Sequence, residues 1–273
     1  MAQATLSFYL QQTSWILRDS NFVFTPKPQL TTYINEARRQ VAYRTGCLRC
    51  LIQGQSAWGV AAQPGSAIAG AMIPGQLPNP LPSSNNPGFN TVVNTFATIQ
   101  GVELYPFSYA NPYLQGQYAG VKSVIDVIDL AVSWGGIRPV ISWLPFEDLQ
   151  AYARSYNVNV TSYPFFWSTT GDGENQNVWI FPNAVNSGVS SGEFEWDAFC
   201  VPIDLYQDSD YEAIPGGFQN AVKYYAAGLA YLSTQRFGMA RLMLDQFDNT
   251  LGISRVASDR GKTRDYYAPF NQI

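Results

Sequence analysis

Histidine is absent from this 273-residue chain. Because imidazole is the commonest general base near neutral pH and a leading metal ligand, its absence excludes serine–histidine triads, histidine-bearing zinc sites and imidazole pH switches. Any catalysis would rest on carboxylates, Lys, Tyr or Cys. Charge is also scarce: 13% of residues are Asp, Glu, Lys or Arg, against about 25% in an average soluble domain. The exterior is therefore expected to be rich in Asn, Gln, Ser and Tyr, which suits extensive contact with partners. Only three cysteines occur. Cys47 and Cys50 form a C-x-x-C pair with no second pair and no histidine to complete a tetrahedral site. They read as structural thiols near the end of a helix, with redox or metal chemistry as the alternative. No run approaches the roughly eighteen apolar residues of a membrane span, and the start, MAQATLSFYLQQ, lacks the basic and apolar regions of a signal peptide. A soluble cytosolic product is the expectation.

What is present is apolar bulk and segregated charge. At 46% hydrophobic and 15% aromatic residues, a chain of this length can bury a sizeable core without disulfides or metal. The net charge of −4 hides a partition: residues 1–49 carry +4, 50–146 carry −1, 147–215 carry −10 and 216–273 carry +3. An acidic block is a solvated face or a functional one, and it does not grip nucleic acid, since phosphate binding needs Lys and Arg.

The pattern gives an α+β fold: N- and C-terminal helices forming a helical bundle, a β-rich insertion domain, a long Pro/Gly loop and an extended C-terminal tail. The bundle takes 1–53 and 213–252, the loop or arm 54–90, the insertion 91–212 and the tail 253–273. Leu6, Tyr9, Leu10, Thr13 and Leu17 recur at helical spacing, and so do Leu30, Tyr33, Ile34, Ala37 and Val41. Thr5 to Leu17 and Leu30 to Thr45 are the predicted helices. Arg38, Arg39 and Arg44 fall off the second stripe or late in it, and Gly46 is its C-cap. Pro26 and Pro28 predict an extended turn that lets the two helices pack antiparallel.

Six prolines between Pro64 and Pro87 leave no helix or strand pattern. That segment is a flexible insertion or a contact arm, with Pro64, Pro74, Pro78, Pro80 and Pro82 as its candidate contact residues. Strands are predicted in NTFATIQGVELYPF, VKSVIDVIDLAVSW and GIRPVISWL, then one short helix over about 145–156 with Phe146, Leu149, Tyr152, Ala153 and Tyr156 inside. A hairpin joins Phe165–Ser168 to Val178–Phe181, and Glu193 to Ile203 is an alternating strand. Pro215 opens a helix to Gln235 with Phe218, Val222, Tyr225, Leu229 and Leu232 on its stripe. Gly238 precedes another, Met239 to Leu251, with Leu242, Met243 and Phe247 inside. The tail carries Arg260, Lys262, Arg264, Tyr266, Tyr267 and Phe270. Burial of each aromatic against a partner would contribute on the order of 2 kcal/mol, which favours a docking peptide over a frayed end.

No catalytic or metal site emerges. Glu193, Glu195 and Asp197 share one strand face at spacings glycosidases use, and abundant Trp and Tyr would supply sugar platforms. The same pattern is also that of a half-exposed strand. Asp172-Gly-Glu174-Asn175 lacks the calcium-loop pattern, and no nucleotide-binding or hydrolase-elbow motif occurs. No enzyme activity, cofactor, metal or membrane is expected.

Several segments taken in order carry a resemblance. The run from Tyr33 to Ala42 closing at Thr45-Gly46-Cys47, Trp143-Leu144-Pro145-Phe146 to Arg154, Val178 to Pro182, Glu195-Trp196-Asp197 through Leu205, and Ala213 to Gln235 together resemble head-to-tail adaptor proteins of tailed bacteriophages, podovirus-like ones above all. The Pro/Gly segment departs from that pattern. The resemblance implies a virion protein assembled in the host cytoplasm, a ring of twelve copies at the neck beneath the portal protein, with tail or nozzle proteins below. It implies that Arg260 to Ile273 reaches the portal, that double-stranded DNA passes without specific binding, and that ring contacts form on the portal template. Glu193, Glu195 and Asp197 are then candidate channel-facing acids. The rival expectation is a carbohydrate-binding or carbohydrate-active phage tail protein using the aromatic and acidic β region.

Overall fold

The computed structural model describes residues 4–53, 96–99, 102–118, 120–133, 139–155, 164–171, 175–182 and 192–259. The fold is mixed α+β and divides into two compact units, one of Met1–Cys47 with Asp204–Ile273, the other of Leu48–Ile203.

The first unit is helical. Helix α1 is Leu6–Leu17 and buries Leu6, Tyr9, Leu10 and Thr13. Helix α2 is Lys27–Thr45, three residues longer at its start than the apolar stripe predicts. Pro28 does not hold the chain extended; it sits in the first turn, where its missing N–H has no helical partner to lose. Gly46 supplies the left-handed C-cap at φ 58°. Helix α5, Gly216–Ser233, packs against α1, α2 and the last helix, α6, Phe237–Asp259. The break between α5 and α6 lies at Thr234–Arg236, where Gln235 takes φ 59°, and Gly238 falls inside the first turn of α6.

The buried face of α5 takes in Phe218 and Val222 of the predicted stripe, with Tyr225 and Leu229 half-buried, and adds its small residues. Ala221, Ala226, Ala227 and Ala230 are buried while Leu232 is exposed, because α6 approaches closely: a Cβ on Gly228 would meet Leu244 Cδ2 at 3.0 Å. On α6, Ala240, Phe247 and Leu251 are inside, and Leu242 is exposed rather than buried. Residues 253–259, expected in the tail, continue α6.

The second unit holds two sheets. Strands β1 (Arg49–Gln53), β7 (Glu193–Pro202) and β3 (Val121–Ser133) make an antiparallel sheet in the order β1-β7-β3. Strands β2 (Leu104–Pro106), β6 (Asn177–Phe181), β5 (Phe166–Thr170) and β4 (Ser142–Trp143) make the other, in the order β2-β6-β5-β4. β5 and β6 form the predicted hairpin, with Phe166 opposite Phe181. Helix α4, Phe146–Ser155, buries Leu149, while Phe146, Tyr152 and Ala153 are half-buried.

Three elements depart from expectation. Arg49–Gln53, placed with the helices by sequence, is an edge strand of this unit, and Asp204–Glu212, placed with the strands, belongs to the helical unit. Helix α3, Asn111–Gln117, preceded by a 3-10 turn at Phe107–Tyr109, adds helix where one short helix was expected. The core is aromatic: Phe96 packs on Trp196, Tyr113, Phe194 and Tyr109 with ring centroids 5.0–5.5 Å apart. Tyr105 anchors its rim, its hydroxyl accepting from the Ile99 N–H at 2.8 Å and donating to the Val102 carbonyl at 3.1 Å. Burial pushes its phenol up to about 12.

Candidate functional site

Strand β7 is the middle of its sheet, so both its edges are paired and only its two faces remain to be assigned. Alternation gives one face Phe194, Trp196, Ala198 and Cys200, all buried, and the other Glu193, Glu195, Asp197 and Phe199, all half-buried. Register extends the acidic face sideways, since directly opposed residues project the same way. Asp129 lies opposite Asp197, Asp126 opposite Phe199 on that side, and Arg49 opposite Phe199 on the other. Five carboxylates and the Arg49 guanidinium therefore share one outward face.

The guanidinium locks onto one of them. Arg49 Nε donates to Asp197 Oδ1 at 2.7 Å, and its Nη2 donates to Asp197 Oδ2. That bidentate pair, with the Asp129 charge nearby, raises the Arg49 pKa. Asp197 is thus a neutralised member of the predicted triad. Glu193 is held above the usual carboxylate range by burial, and so is Asp126, although the Val127 N–H bonded to its carboxylate works the other way.

The free edge of β1 is closed by side chains. Tyr118 Oη accepts from the Leu51 N–H at 3.1 Å and donates to the Leu51 carbonyl at 2.9 Å, and Gln117 bonds both backbone groups of Gln53. A phenol and an amide thereby imitate a neighbouring strand and blunt an edge open to pairing.

Chemically, such a face repels phosphate and attracts cationic surfaces. The carboxylates project from one sheet face. Trp196 is fully buried on the other face, so it offers no platform to a sugar beside Glu195. Among the described residues no group of three or more Cys, Asp or Glu is placed to hold a metal ion, and no helix is long and apolar enough to cross a membrane. No family model and no curated protein matches the chain.

The helical unit holds a second polar constellation, which the sequence pattern placed wrongly. Arg38 is 1% exposed, not off the apolar stripe. Its Nε and Nη2 donate to Glu212 Oε2 and Oε1, both at 2.8 Å, while Glu212 Oε1 also accepts the Ile214 N–H at 2.9 Å. Asn35 accepts the Leu205 N–H at 2.9 Å and donates to the Leu205 carbonyl at 3.0 Å. Arg39 adds a bond to Asp204 at 2.7 Å. Together they pin Asp204–Ile214 along α2. The available signal was position: Arg38 stands four residues after Ile34 and three before Val41, on the buried stripe.

The two thiols of the C-x-x-C spacing fall in different elements. Cys47 follows the C-cap of α2, half-buried, with its pKa raised by burial. Cys50 is in β1 and, like Cys200 of β7, is buried, with Cys200 Sγ donating to the Ala198 carbonyl at 3.8 Å. The tail residues Arg260, Lys262, Arg264, Tyr266, Tyr267 and Phe270 lie outside the described residues, as do Pro64, Pro74, Pro78, Pro80 and Pro82 of the arm.

Proposed function

We propose that this protein is a head-to-tail adaptor of a tailed bacteriophage, a structural part of the virion neck rather than an enzyme. In this reading twelve copies form a ring beneath the portal protein, tail or nozzle proteins attach below, and the ring lines part of the channel that holds and releases the genome. The helices of both chain ends form one bundle, and the β-rich domain is inserted into it.

The observation that carries the reading is the order of elements. Of the segments that resemble the adaptor family, Tyr33 to Ala42 lies within α2, Trp143 to Arg154 overlaps α4, Val178 to Pro182 overlaps β6, Glu195 to Leu205 overlaps β7 and Ala213 to Gln235 contains α5, in that order along the chain. The outward carboxylate face of β7 is compatible with a channel wall: fixed negative charge repels DNA phosphates and lets the duplex slide without specific grip. Ring closure needs a heterologous contact, in which two different surfaces of the same chain meet.

Two experiments test the proposal in assembled particles. Ending the chain after Asp259, the last described residue of α6, leaves a folded protein that no longer joins portal-bearing capsids; undiminished joining refutes the docking role of Arg260 to Ile273. Replacing Glu193, Glu195 and Asp197 together by Gln, Gln and Asn slows or stalls genome ejection while neck assembly proceeds. Ejection at the native rate would remove the acids from the channel wall.

A further inference from the structure

The loop between α1 and α2 displays apolar side chains on a backbone that a single residue organises. The Asp19 carboxylate, 6% exposed, accepts the N–H groups of Val23, Phe24 and Thr25 at 2.8, 2.9 and 3.0 Å, and the Asp19 main-chain carbonyl accepts that of Phe22 at 3.2 Å. Phe22 takes φ 55°, a left-handed conformation that a bulky residue rarely adopts. The product of this anchored, strained turn is outward display: Val23 and Phe24 are each 71% exposed, while Thr25 behind them is buried. Strain of this kind persists where the surroundings enforce it, and it clusters at functional sites. A loop already fixed in one shape loses little further freedom on binding, so it presents its apolar tip at low entropic cost.

The knob stands at the end of the helical unit opposite the point where the chain leaves it. Helix α1 ends at Leu17, two residues before Asp19, and Tyr231 Oη donates to the Ile16 carbonyl at 3.1 Å, so the α5–α6 connection shares that end. From there α6 runs back along α5, with Leu244 against Gly228 and Phe247 against Tyr225. Its 23 residues place Asp259, from which residues 260–273 continue, roughly 33 Å away. In the adaptor reading those residues go up to the portal, so the knob end faces the tail side. Trp15 and Phe237 are also exposed at this end, at 62% and 66%. With Val23 and Phe24 they present roughly 500 Å², short of the ~800 Å² that each side of a standard interface contributes. That is too little to hold a free second copy, but enough for the apolar centre of a contact that a ring repeats against one partner. The exposed charges nearby are of both signs, Arg18, Arg236 and Arg241 with Asp245, so the recognition is apolar rather than electrostatic. We infer that Val23 and Phe24 form a preformed knob that inserts into an apolar socket on the protein attached below the ring. The inference deepens the adaptor proposal and rests on it for the direction of the knob.

The test takes portal-bearing capsids carrying the native chain or a variant, titrates them with the purified tail or nozzle protein of the same phage, and counts tailed particles by electron microscopy. Val23→Ser/Phe24→Ser joins the portal as the native chain does, which shows that it is folded, and needs about a hundredfold more tail protein to be occupied. Asp19→Ala keeps both apolar side chains but frees their backbone, and loses about tenfold. Tail protein that joins the double variant as tightly as the native neck overturns the inference. So does a double variant of native circular dichroism that no longer joins the portal, because the loop then serves the portal or a neighbouring copy. Binding of the free native chain to vesicles of phosphatidylglycerol and phosphatidylcholine, lost in the double variant, overturns it as well, and full affinity in Asp19→Ala removes the preformed knob. In all of these the native chain still joins the portal, so the adaptor reading stands. A native chain that leaves the portal bare refutes that reading in the control sample, before any variant is compared, and takes the inference with it.

Discussion

Arg38 and Glu212 are 174 positions apart and almost completely removed from water, bonded to each other, with Arg38 also donating to Asn35 Oδ1 and Glu212 also accepting the Ile214 N–H. A buried pair of this kind does not have to add net stability, but losing one partner strands the other's charge. Arg38→Met should therefore destabilise the protein by about 3–5 kcal/mol in urea unfolding, and adding Glu212→Leu should recover a good part of that loss. If the second substitution deepens the damage, the pair is not the dominant interaction at that position. Asp19 acts differently. Burial opposes its charge, but backbone N–H groups of Thr25, Val23 and Phe24 outweigh it and hold its pKa below the usual value. A carboxyl with a depressed folded pKa contributes stability above its unfolded pKa of about 3.9 and loses it as pH falls through the folded value. Native protein should thus lose stability below about pH 4 more steeply than Asp19→Ala, which is weaker at neutral pH and flatter in acid. Equal slopes would show that the Asp19 bonds are not differential between folded and unfolded chains.

At the scale of elements, what decides the packing of α5 is the absence of a side chain. Gly228 Cα faces Leu244 so closely that a Cβ would stand 3.0 Å from Cδ2 and 3.1 Å from Cγ. Gly228→Val overfills this contact and should cost about 1–3 kcal/mol, read as a lower thermal midpoint without loss of helical circular dichroism. An unchanged midpoint would mean that the two helices are free to separate. This contact also marks what could be read in advance. The helices, the β5–β6 hairpin and the alternation of β7 were legible because each is written in local periodicity or a turn signal. The buried face of α5 was half legible: Phe218 and Val222 stand on the predicted stripe, while its alanines and glycine carry little hydrophobic signal and gain their place from the neighbour. Strand β1 was hidden because five residues after a helix show no pattern until β7, whose Ala198 pairs with Cys50, is beside them. Helix α3 is short and Gln/Tyr-rich, and its use, covering the β1 edge through Gln117 and Tyr118, depends on residues 64 and 67 positions away. The acidic face was half legible: the triad followed from alternation, while Asp126, Asp129 and the Arg49 clamp on Asp197 needed the register.

For the whole molecule, the low charge and its partition take on physical meaning once they are mapped. Basic groups end up in a buried clamp, in surface pairs such as Lys27 with Asp208 at 2.7 Å, and at one end of the helical unit. Among the described acids of the middle of the chain, Glu193, Glu195 and Asp197 lie on an outward sheet face, Asp204 and Glu212 in the segment pinned to α2, and Glu147 and Asp148 in the first turn of α4. An outward acidic sheet face presents like charge to a passing polyanion. The measurement that bears most directly on this account is electron microscopy of the purified full chain mixed with portal protein of the same phage. The account predicts rings of twelve stacked coaxially on the portal, absent when either protein is imaged alone at the same dilution. Particles that leave every portal bare, with the chain remaining monomeric beside it, would contradict it.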